Sequence, residues 1–333
     1  MKIVVLGGGI STERHVSLVT ATSVCKALRS LGYQAIFVDM YLGLEDFEGP
    51  LESAFDAPDG LCPEAAITTE APDLDAVRAS RRDQSTSRLG KNVIEICRLA
   101  DCVFLGLHGA DGEDGKIQAV LDLLGVPYTG SDPLGSAMAM DKSVTKQIML
   151  CNGIPTPAIT DHAPCVVKEV NGGSSIGTWI CDTQEEMEAA LAAARAKVIV
   201  EKKIVGREFT VPVLEDRALD VIEIVSPTGR FDYVSKYQSG DSGAREICPA
   251  EIPPEQAAQL QELALRLHHA LGLRTVSRVD FLVDEQGNPF CLEANTLPGM
   301  TPNSLIPKAA ARAGLSYARL CERIVLATLE SGK

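Results

Sequence analysis

The residues best placed to do chemistry lie on two short stretches near the C-terminus. In Ser277-Arg278-Val279-Asp280-Phe281-Leu282-Val283 the residue types alternate. Arg278 and Asp280 therefore share one face of a strand, and Val279, Phe281 and Val283 share the other. Asp284-Glu285-Gln286-Gly287-Asn288 reads as a turn. Phe290-Cys291-Leu292-Glu293-Ala294-Asn295 alternates again, with Glu293 and Asn295 on one face. A hairpin sets Asp280 roughly across from Glu293. Two carboxylates about 4 Å apart repel by roughly 4 kcal/mol at an effective dielectric of 20. A divalent cation removes that cost, and Asp, Glu and Asn oxygens are the hard ligands that Mg²⁺ takes alongside phosphate oxygens. A solvated strand face with an ordinary Arg–Asp pair has the same pattern, so the alternation leaves both readings open.

Three other stretches bear on ligand binding. Lys168-Glu169-Val170-Asn171-Gly172-Gly173-Ser174-Ser175-Ile176-Gly177 runs from a strand into a glycine-serine loop and out into another strand. Small residues let backbone N–H groups approach a phosphate. A P-loop would need Gly-Lys-Ser/Thr opening a helix, and a plain hairpin turn fits equally well. Lys168 and Glu169 point to opposite strand faces, so Glu169 need not oppose a bound phosphate. Phe231-Asp232-Tyr233-Val234-Ser235-Lys236-Tyr237, followed by Gln238 to Gly243, suits a lid or an ordinary surface loop. Thr296 to Leu305 follows the carboxylate strand directly. There Gly299 can present a backbone N–H, and Ser304 can start a helix whose N-terminus attracts a carboxylate, or simply cap it.

The elements that hold these residues follow from composition and pattern. A chain of 333 residues suggests two or three domains. With 45% hydrophobic and 23% charged residues it is an ordinary globular chain, not a disordered one. The balance of 31 Lys+Arg against 45 Asp+Glu gives a net charge of −14, which excludes a general nucleic-acid binder but not a small phosphate ligand held by local lysines. The ten cysteines are scattered, with no CxxC pair, and read as reduced core residues. Ile3-Val4-Val5-Leu6 before Gly7-Gly8-Gly9 is too short for a secretory leader, and no stretch reaches the roughly 18 apolar residues of a membrane span. A cytoplasmic protein is expected.

Lys2 to Leu6 reads as a strand buried on both faces. Ser11 or Thr12 is expected to cap a helix ending at Gly32, and Ala35 to Val38 is the next strand. This βαβ opening implies a parallel sheet. Residues 41–90 are weakly patterned and read as an insertion or mobile excursion. A second unit begins near Asp141, with strands at Cys165–Lys168, Thr178–Cys181 and Val198–Val200 and a capping box at Thr183-Gln184-Glu185-Glu186. Leu260, Leu263 and Leu267 mark an amphipathic helix stopped by Gly272, with His268 and His269 expected to be solvated or cap-related.

Taken in order along the chain, these stretches resemble the ATP-grasp superfamily and, within it, the D-alanine–D-alanine ligase family. The resemblance rests on Gly8-Gly9-Ile10-Ser11-Thr12-Glu13-Arg14-His15-Val16-Ser17, Leu107-His108-Gly109 through Gly115, Tyr128-Thr129-Gly130-Ser131, Met140-Asp141-Lys142, Gly173-Ser174-Ser175-Ile176-Gly177, Gly206-Arg207-Glu208-Phe209-Thr210, Lys236-Tyr237, Ser277 to Asp280 and Leu292 to Thr301. It implies an α/β protein of three-domain ATP-grasp architecture. Residues 1–140 would form an N-terminal Rossmann-like parallel-sheet domain, 141–204 a small central subdomain and 205–333 the C-terminal ATP-grasp domain.

It implies ligation of two D-alanines through an acyl phosphate, with ATP and two Mg²⁺ or Mn²⁺ ions, for peptidoglycan precursor synthesis by a homodimer. By resemblance, Lys142 and Lys168 hold the α- and β-phosphates. Glu201, Lys202 and the backbone near Ile204 meet the adenine, Glu208 the ribose, and Lys236 the γ-phosphate. Asp280, Glu293 and Asn295 hold the metal ions. Glu13 takes the first D-alanine's ammonium, with His108 nearby. Arg278 and Gly299 are donors to the oxyanion, and Ser304 and Leu305 take the second substrate's carboxylate. Glu13, Ser174 and Tyr237 match a hydrogen-bonded trio, and Lys236-Tyr237 matches the D-alanine type of lid rather than the D-lactate type.

The chain departs from the resemblance in places. Only seven residues separate Pro157 from Cys165, where many relatives have a longer segment with a helix. Glu169 stands where relatives usually have proline. The competing readings are a ligase using D-serine or D-lactate, a non-catalytic ATP-binding regulator, and a dinucleotide oxidoreductase. The last is disfavoured because Gly7-Gly8-Gly9 lacks the Gly-x-Gly-x-x-Gly spacing.

Overall fold

A computed structural model describes residues 1–66, 72–173, 177–226 and 244–331. They pack into two compact units. One comprises Met1–Pro133, Arg274–Val276 and Thr296–Lys333; the other comprises Leu134–Leu273 and Ser277–Asn295. The chain thus crosses from one unit to the other several times.

The first unit opens as its sequence predicts. β1 (Lys2–Gly7), α1 (Arg14–Ser30), β2 (Gln34–Asp39) and β3 (Cys102–Leu105) build a parallel sheet in the order β2-β1-β3. Ile3, Val4, Val5 and Leu6 are all fully buried, as a strand covered on both faces requires. Gly7 has to be glycine, since a Cβ there would sit 2.4 Å from the Ala21 Cβ on α1. The turn after β2 is held by Asp39, which accepts from the Tyr41 and Leu42 N–H groups and forms a buried ion pair with Arg14 at 2.5 Å.

The expected cap does not form. Glu13 occupies the N-cap position, and the Ser11 hydroxyl accepts from the Glu13 N–H and donates to the His108 carbonyl. Its side chain joins two loops instead of closing the helix.

Residues 41–90 are not a free excursion where they are described. A 3-10 turn at Leu51–Asp56 buries Ala54 and Phe55 in the sheet's core. After α2 (Leu74–Ser80), Arg81 is buried, donates to the Ser87 and Leu89 carbonyls, and lies 4.8 Å over the Tyr41 ring. A few well-placed apolar residues and one buried arginine organise a segment whose composition is mostly polar. α3 (Val93–Cys97) and α4 (Lys116–Leu124) complete this part.

In the second unit, α5 (Pro133–Met140) leads into α6 (Lys142–Cys151). β4 (Cys165–Glu169), β5 (Thr178–Cys181) and β6 (Val198–Lys202) form an antiparallel sheet in the order β5-β4-β6, covered by α7 (Gln184–Ala193). The capping box is present, with Thr183 and Glu186 each bonding the other's backbone. The unit's larger sheet contains β7 (Gly206–Leu214), β8 (Arg217–Ala218), β9 (Ile222–Val225), β10 (Arg245–Ile247), β11 (Val276–Asp284) and β12 (Pro289–Asn295). Helix α8 (Pro254–Ala270) packs Leu260, Leu263 and Leu267 against Phe209, Val211, Phe281 and Cys291. The chain ends in the first unit with α9 (Leu305–Arg312) and α10 (Tyr317–Ser331).

Seven of the cysteines are buried, but Cys151 is exposed and Cys62 and Cys248 are half-buried, which corrects the expectation of a wholly core role. None of the ten is disulfide-bonded. No helix among the described residues is long and apolar enough to cross a membrane.

His268 also departs from expectation. It is buried rather than solvated, and its Nδ1 lies 2.7 Å from the Ser277 hydroxyl. His269 does face solvent, beside Asp216. Burial first, and then the neighbouring His269, push the His268 pKa down to about 4. In the unfolded chain this ring takes a proton near pH 6.5; in the folded chain it does not until about pH 4. Its contribution is complete above pH 6.5 and is lost as pH falls toward 4. It amounts to about 3 kcal/mol across that window. Urea unfolding should show this slope between pH 7 and pH 4.5, and His268→Asn should flatten it.

Candidate active site

The carboxylate hairpin has the register the alternation predicts. Arg278 pairs with Asn295 and Asp280 with Glu293. The register then shifts so that Phe281 faces Cys291, leaving Leu292 as the extra residue of a bulge. Asp280 is densely hydrogen-bonded. Its Oδ1 accepts from the Thr210 hydroxyl at 2.6 Å and Arg278 Nε at 2.9 Å; its Oδ2 accepts from Arg278 Nη2 at 2.9 Å and Asn295 Nδ2 at 3.0 Å. Glu293 faces Lys142, with 3.3 Å between Nζ and Oε2.

Two opposed carboxylates therefore stand against one cation each. Asp280, Glu293 and Asn295 carry hard oxygens of the type a divalent cation takes, and are the candidate set for one. Among the described residues no cluster of three or more His, Cys, Asp or Glu side chains is placed to hold a metal ion.

Lys142 owes its position to helix capping. Asp141 accepts from the Ser143 and Val144 N–H groups at 2.9 and 3.0 Å, which places Lys142 on the first turn of α6. Burial would raise the Asp141 carboxyl, but the Ser143 and Val144 hydrogen bonds hold it below its ordinary value. The Lys142 ammonium donates to the Gly172 carbonyl at 2.6 Å, tying the helix to the start of the glycine-serine loop.

Lys168, on β4, reaches Glu201 on β6 with 2.6 Å between Nζ and Oε2. Lys146 reaches the other oxygen of the same carboxylate, also at 2.6 Å. Burial would raise the Glu201 carboxyl, but Lys168 and Lys146 together hold it below its ordinary value. Glu201 is thus engaged by two lysines rather than presented to solvent. Lys202 is exposed and Ile204 half-buried where β6 ends, and Glu208 is half-buried on β7 opposite Ile224.

The departures from the family pattern have structural accounts. Glu169 accepts from the Arg195 N–H at 2.8 Å, beyond the C-terminus of α7. Lys168 instead turns to Glu201, as the alternation predicts. The short segment after Pro157 runs along β6, with Ile159 bridged to Glu201 and Lys202 donating to the Ala158 carbonyl.

The first unit holds a separate group. Glu13 lies at the N-terminus of α1. His108 is buried, with Nδ1 3.0 Å from the Leu297 carbonyl and Nε2 3.1 Å from the Thr20 hydroxyl. Ser304 is the N-cap residue of α9, but its hydroxyl turns back to accept from the Thr301 N–H, leaving Leu305 as the first helical residue. Gly299 packs closely on this turn: a Cβ there would sit 3.1 Å from the Ser304 Oγ. Ser174, Lys236 and Tyr237 lie outside the described residues.

Sequence reasoning missed Lys146 and Thr210. Thr210 is the second residue from Glu208 on β7, and its β-branched side chain reads as ordinary strand packing. Lys146 reads as one more helical lysine; its only signal is the four-residue spacing from Lys142, which puts both on one helical face.

Two family models match, described as D-ala D-ala ligase N-terminus over residues 2–131 and D-ala D-ala ligase C-terminus over residues 156–326. A D-alanine–D-alanine ligase of Pediococcus pentosaceus is 43% identical, over 98% of this chain and 97% of that protein. One from Lacticaseibacillus casei is 41% identical, over 98% and 95%. The crystal structure of a D-alanine–D-alanine ligase from Bacillus anthracis complexed with ATP superposes with a TM-score of 0.73 at 27% identity, covering 99% of this chain and 98% of that one.

If Asp280, Glu293 and Asn295 form a cation site, Glu293→Gln should weaken Mn²⁺ binding by roughly tenfold or more, read by paramagnetic relaxation of water protons. Unchanged Mn²⁺ affinity would exclude this trio.

Proposed function

The chain belongs to the D-alanine–D-alanine ligase family, and from that premise we infer how its residues carry out the reaction. It is an ATP-dependent ligase that joins two D-alanines for peptidoglycan synthesis, releasing ADP and phosphate. A free carboxylate is a poor electrophile toward an amine. Transfer of the γ-phosphoryl group to the first D-alanine's carboxylate gives an acyl phosphate. The second D-alanine's amine then attacks the acyl carbon, a tetrahedral oxyanion forms, and phosphate leaves with the C–O bonding electrons while the amine gives up a proton.

Phosphoryl transfer depends on positioning and charge neutralisation. What supports the assignment of residues is that one unit holds Lys142 against Glu293, Asp280 across from Glu293, and Lys168 against Glu201. Lys142 and Lys168 hold the α- and β-phosphates and Lys236 the γ-phosphate. Lys202 and the Ile204 backbone meet the adenine beside Glu201, and Glu208 binds the ribose. Asp280, Glu293 and Asn295 hold two Mg²⁺ or Mn²⁺ ions, which when bound neutralise charge on the phosphates.

In the first unit, Glu13 binds the first D-alanine's ammonium with His108 close by, and Ser304 and the Leu305 N–H receive the second substrate's carboxylate. Ser174 and Tyr237 are assigned, with Glu13, to the family's hydrogen-bonded trio. Arg278 and the Gly299 N–H donate to the oxyanion. The reading includes a cytoplasmic homodimer, with residues 1–140, 141–204 and 205–333 as its three family domains.

The direct test is ADP release from Mg-ATP with D-alanine, L-alanine, or D-alanine plus D-serine or D-lactate, with products weighed by mass spectrometry. D-alanine alone should sustain turnover and yield D-alanyl-D-alanine, and L-alanine should not. Preferential use of D-lactate or D-serine would overturn the second-substrate assignment, and ATP binding without turnover would overturn the ligase reading. Arg278→Met should lower kcat by roughly 10²–10³-fold, the usual effect of losing one oxyanion donor. A change smaller than about fivefold in single-turnover rate would remove Arg278 from that role.

A further inference from the structure

We propose that Lys146 is a positioning residue of the nucleotide site: it balances and anchors Glu201 so that Lys168 keeps its charge for the phosphates. The proposal rests on the ligase reading, in which Lys168 meets ATP.

Lys146 cannot touch the nucleotide itself. Its ammonium has three N–H donors. One goes to Glu201 Oε1 at 2.6 Å, one to the Thr156 hydroxyl at 2.8 Å and one to the Pro157 carbonyl at 2.6 Å. The side chain is only 4% exposed. All its hydrogen-bonding capacity is used inside the protein, and burying a lysine so fully is costly unless it is paired.

Its effect is transmitted through charge. Glu201 lies between two ammonium groups, at 2.6 Å from each. Two lysines and one carboxylate leave the cluster with one net positive charge. Without Lys146, Glu201 and Lys168 would form a closed neutral pair. Lys168 would then have to leave its only ion-pair partner among the described residues to serve a phosphate, exposing a buried carboxylate with no counter-charge. With Lys146 in place, Glu201 remains compensated when Lys168 shifts toward an anion. Burial pulls the Lys146 ammonium below its ordinary value and Glu201 opposes that pull, consistent with an ionised cluster.

Its effect is also geometric. Lys146 lies four residues after Lys142 on α6, so one helix face delivers a phosphate lysine and clamps the partner of the other. Thr156 and Pro157 begin the segment whose Ala158 and Thr160 hydrogen-bond along β6. Lys146 therefore fixes β6 relative to α6, and with it the spacing of Lys142 and Lys168.

The test compares titration of ATP and of adenosine into wild type, Lys146→Met, Lys146→Arg and Thr156→Val, together with the KM values for ATP and D-alanine. Lys146→Met should weaken ATP binding by about tenfold or more, equivalent to about 1.4 kcal/mol. Adenosine binding and the D-alanine KM should change by less than about twofold. Lys146→Arg should restore part of the loss. Thr156→Val, which keeps every charge and removes one anchor, should weaken ATP by a smaller factor in the same sense.

Equal weakening of ATP and adenosine would show a merely structural role and overturn the proposal, as would an unchanged ATP affinity. If Lys146→Met does not fold, the ATP-against-adenosine comparison for Thr156→Val decides in the same way. If wild type binds ATP but does not turn over D-alanine, the ligase reading fails, and the ATP titrations still decide the role of Lys146.

Discussion

A carboxylate buried between two ammonium groups is the constraint around which the second unit is organised. Glu201 is 2% exposed and joins β6 to β4 through Lys168 and to α6 through Lys146. An uncompensated charge there would cost about 3–5 kcal/mol, comparable to much of a domain's net stability. The positions of helix, sheet and lysines are thus mutually dependent. Apolar packing alone would tolerate small slides of α6 against this sheet, because hydrophobic burial has no direction. Three short ionic and hydrogen-bonded contacts on a single ammonium do not.

The larger sheet of the same unit repeats this logic. Asp280 is bound by Arg278 on its own strand, by Thr210 on β7 and by Asn295 on β12, and Glu293 is met by Lys142. Each carboxylate in this region has a cation against it. The side chains are therefore oriented before any ligand arrives, with little rotamer freedom left to lose on binding. The trade-off is that any anion approaching the two lysines would compete with Glu201 and Glu293. Sharing Glu201 between two cations lessens that competition at Lys168.

Much of this arrangement was legible in the sequence because it depends on local periodicity. Alternation along β11 and β12 put Arg278 with Asp280 and Glu293 with Asn295, and the hairpin register followed. The bulge at Leu292 was not legible, since nothing in Phe290-Cys291-Leu292-Glu293 distinguishes a paired residue from an extra one. His268 was misjudged because a helix-terminal histidine reads as solvated, whereas its burial depends on Ser277, nine residues away on a different element. Residues 41–90 read as unstructured because a few apolar residues at irregular spacing and one arginine carry their packing, and pattern recognition needs repetition. Lys146 was overlooked for a related reason: its three partners come from β6 and the loop after α6, and no short-range pattern encodes them.

The small sheet accommodates Glu169 and the segment after Pro157 away from its ionic cluster. Glu169 directly follows Lys168, yet strand geometry directs the two side chains to opposite faces. Lys168 turns toward Glu201, and Glu169 turns toward the Arg195 backbone near the end of α7. The Glu169 carboxylate therefore accepts from a backbone N–H and does not share the partner of Lys168. The shortened segment after Pro157 behaves similarly. Its Ala158 and Thr160 pair with β6, and Thr156 and Pro157 accept from Lys146. Glu201, Lys168 and Lys146 form one ionic cluster, and Glu169 lies outside it. Two-sidedness in a three-stranded sheet thus gives Lys168 and Glu169, adjacent in sequence, separate partners.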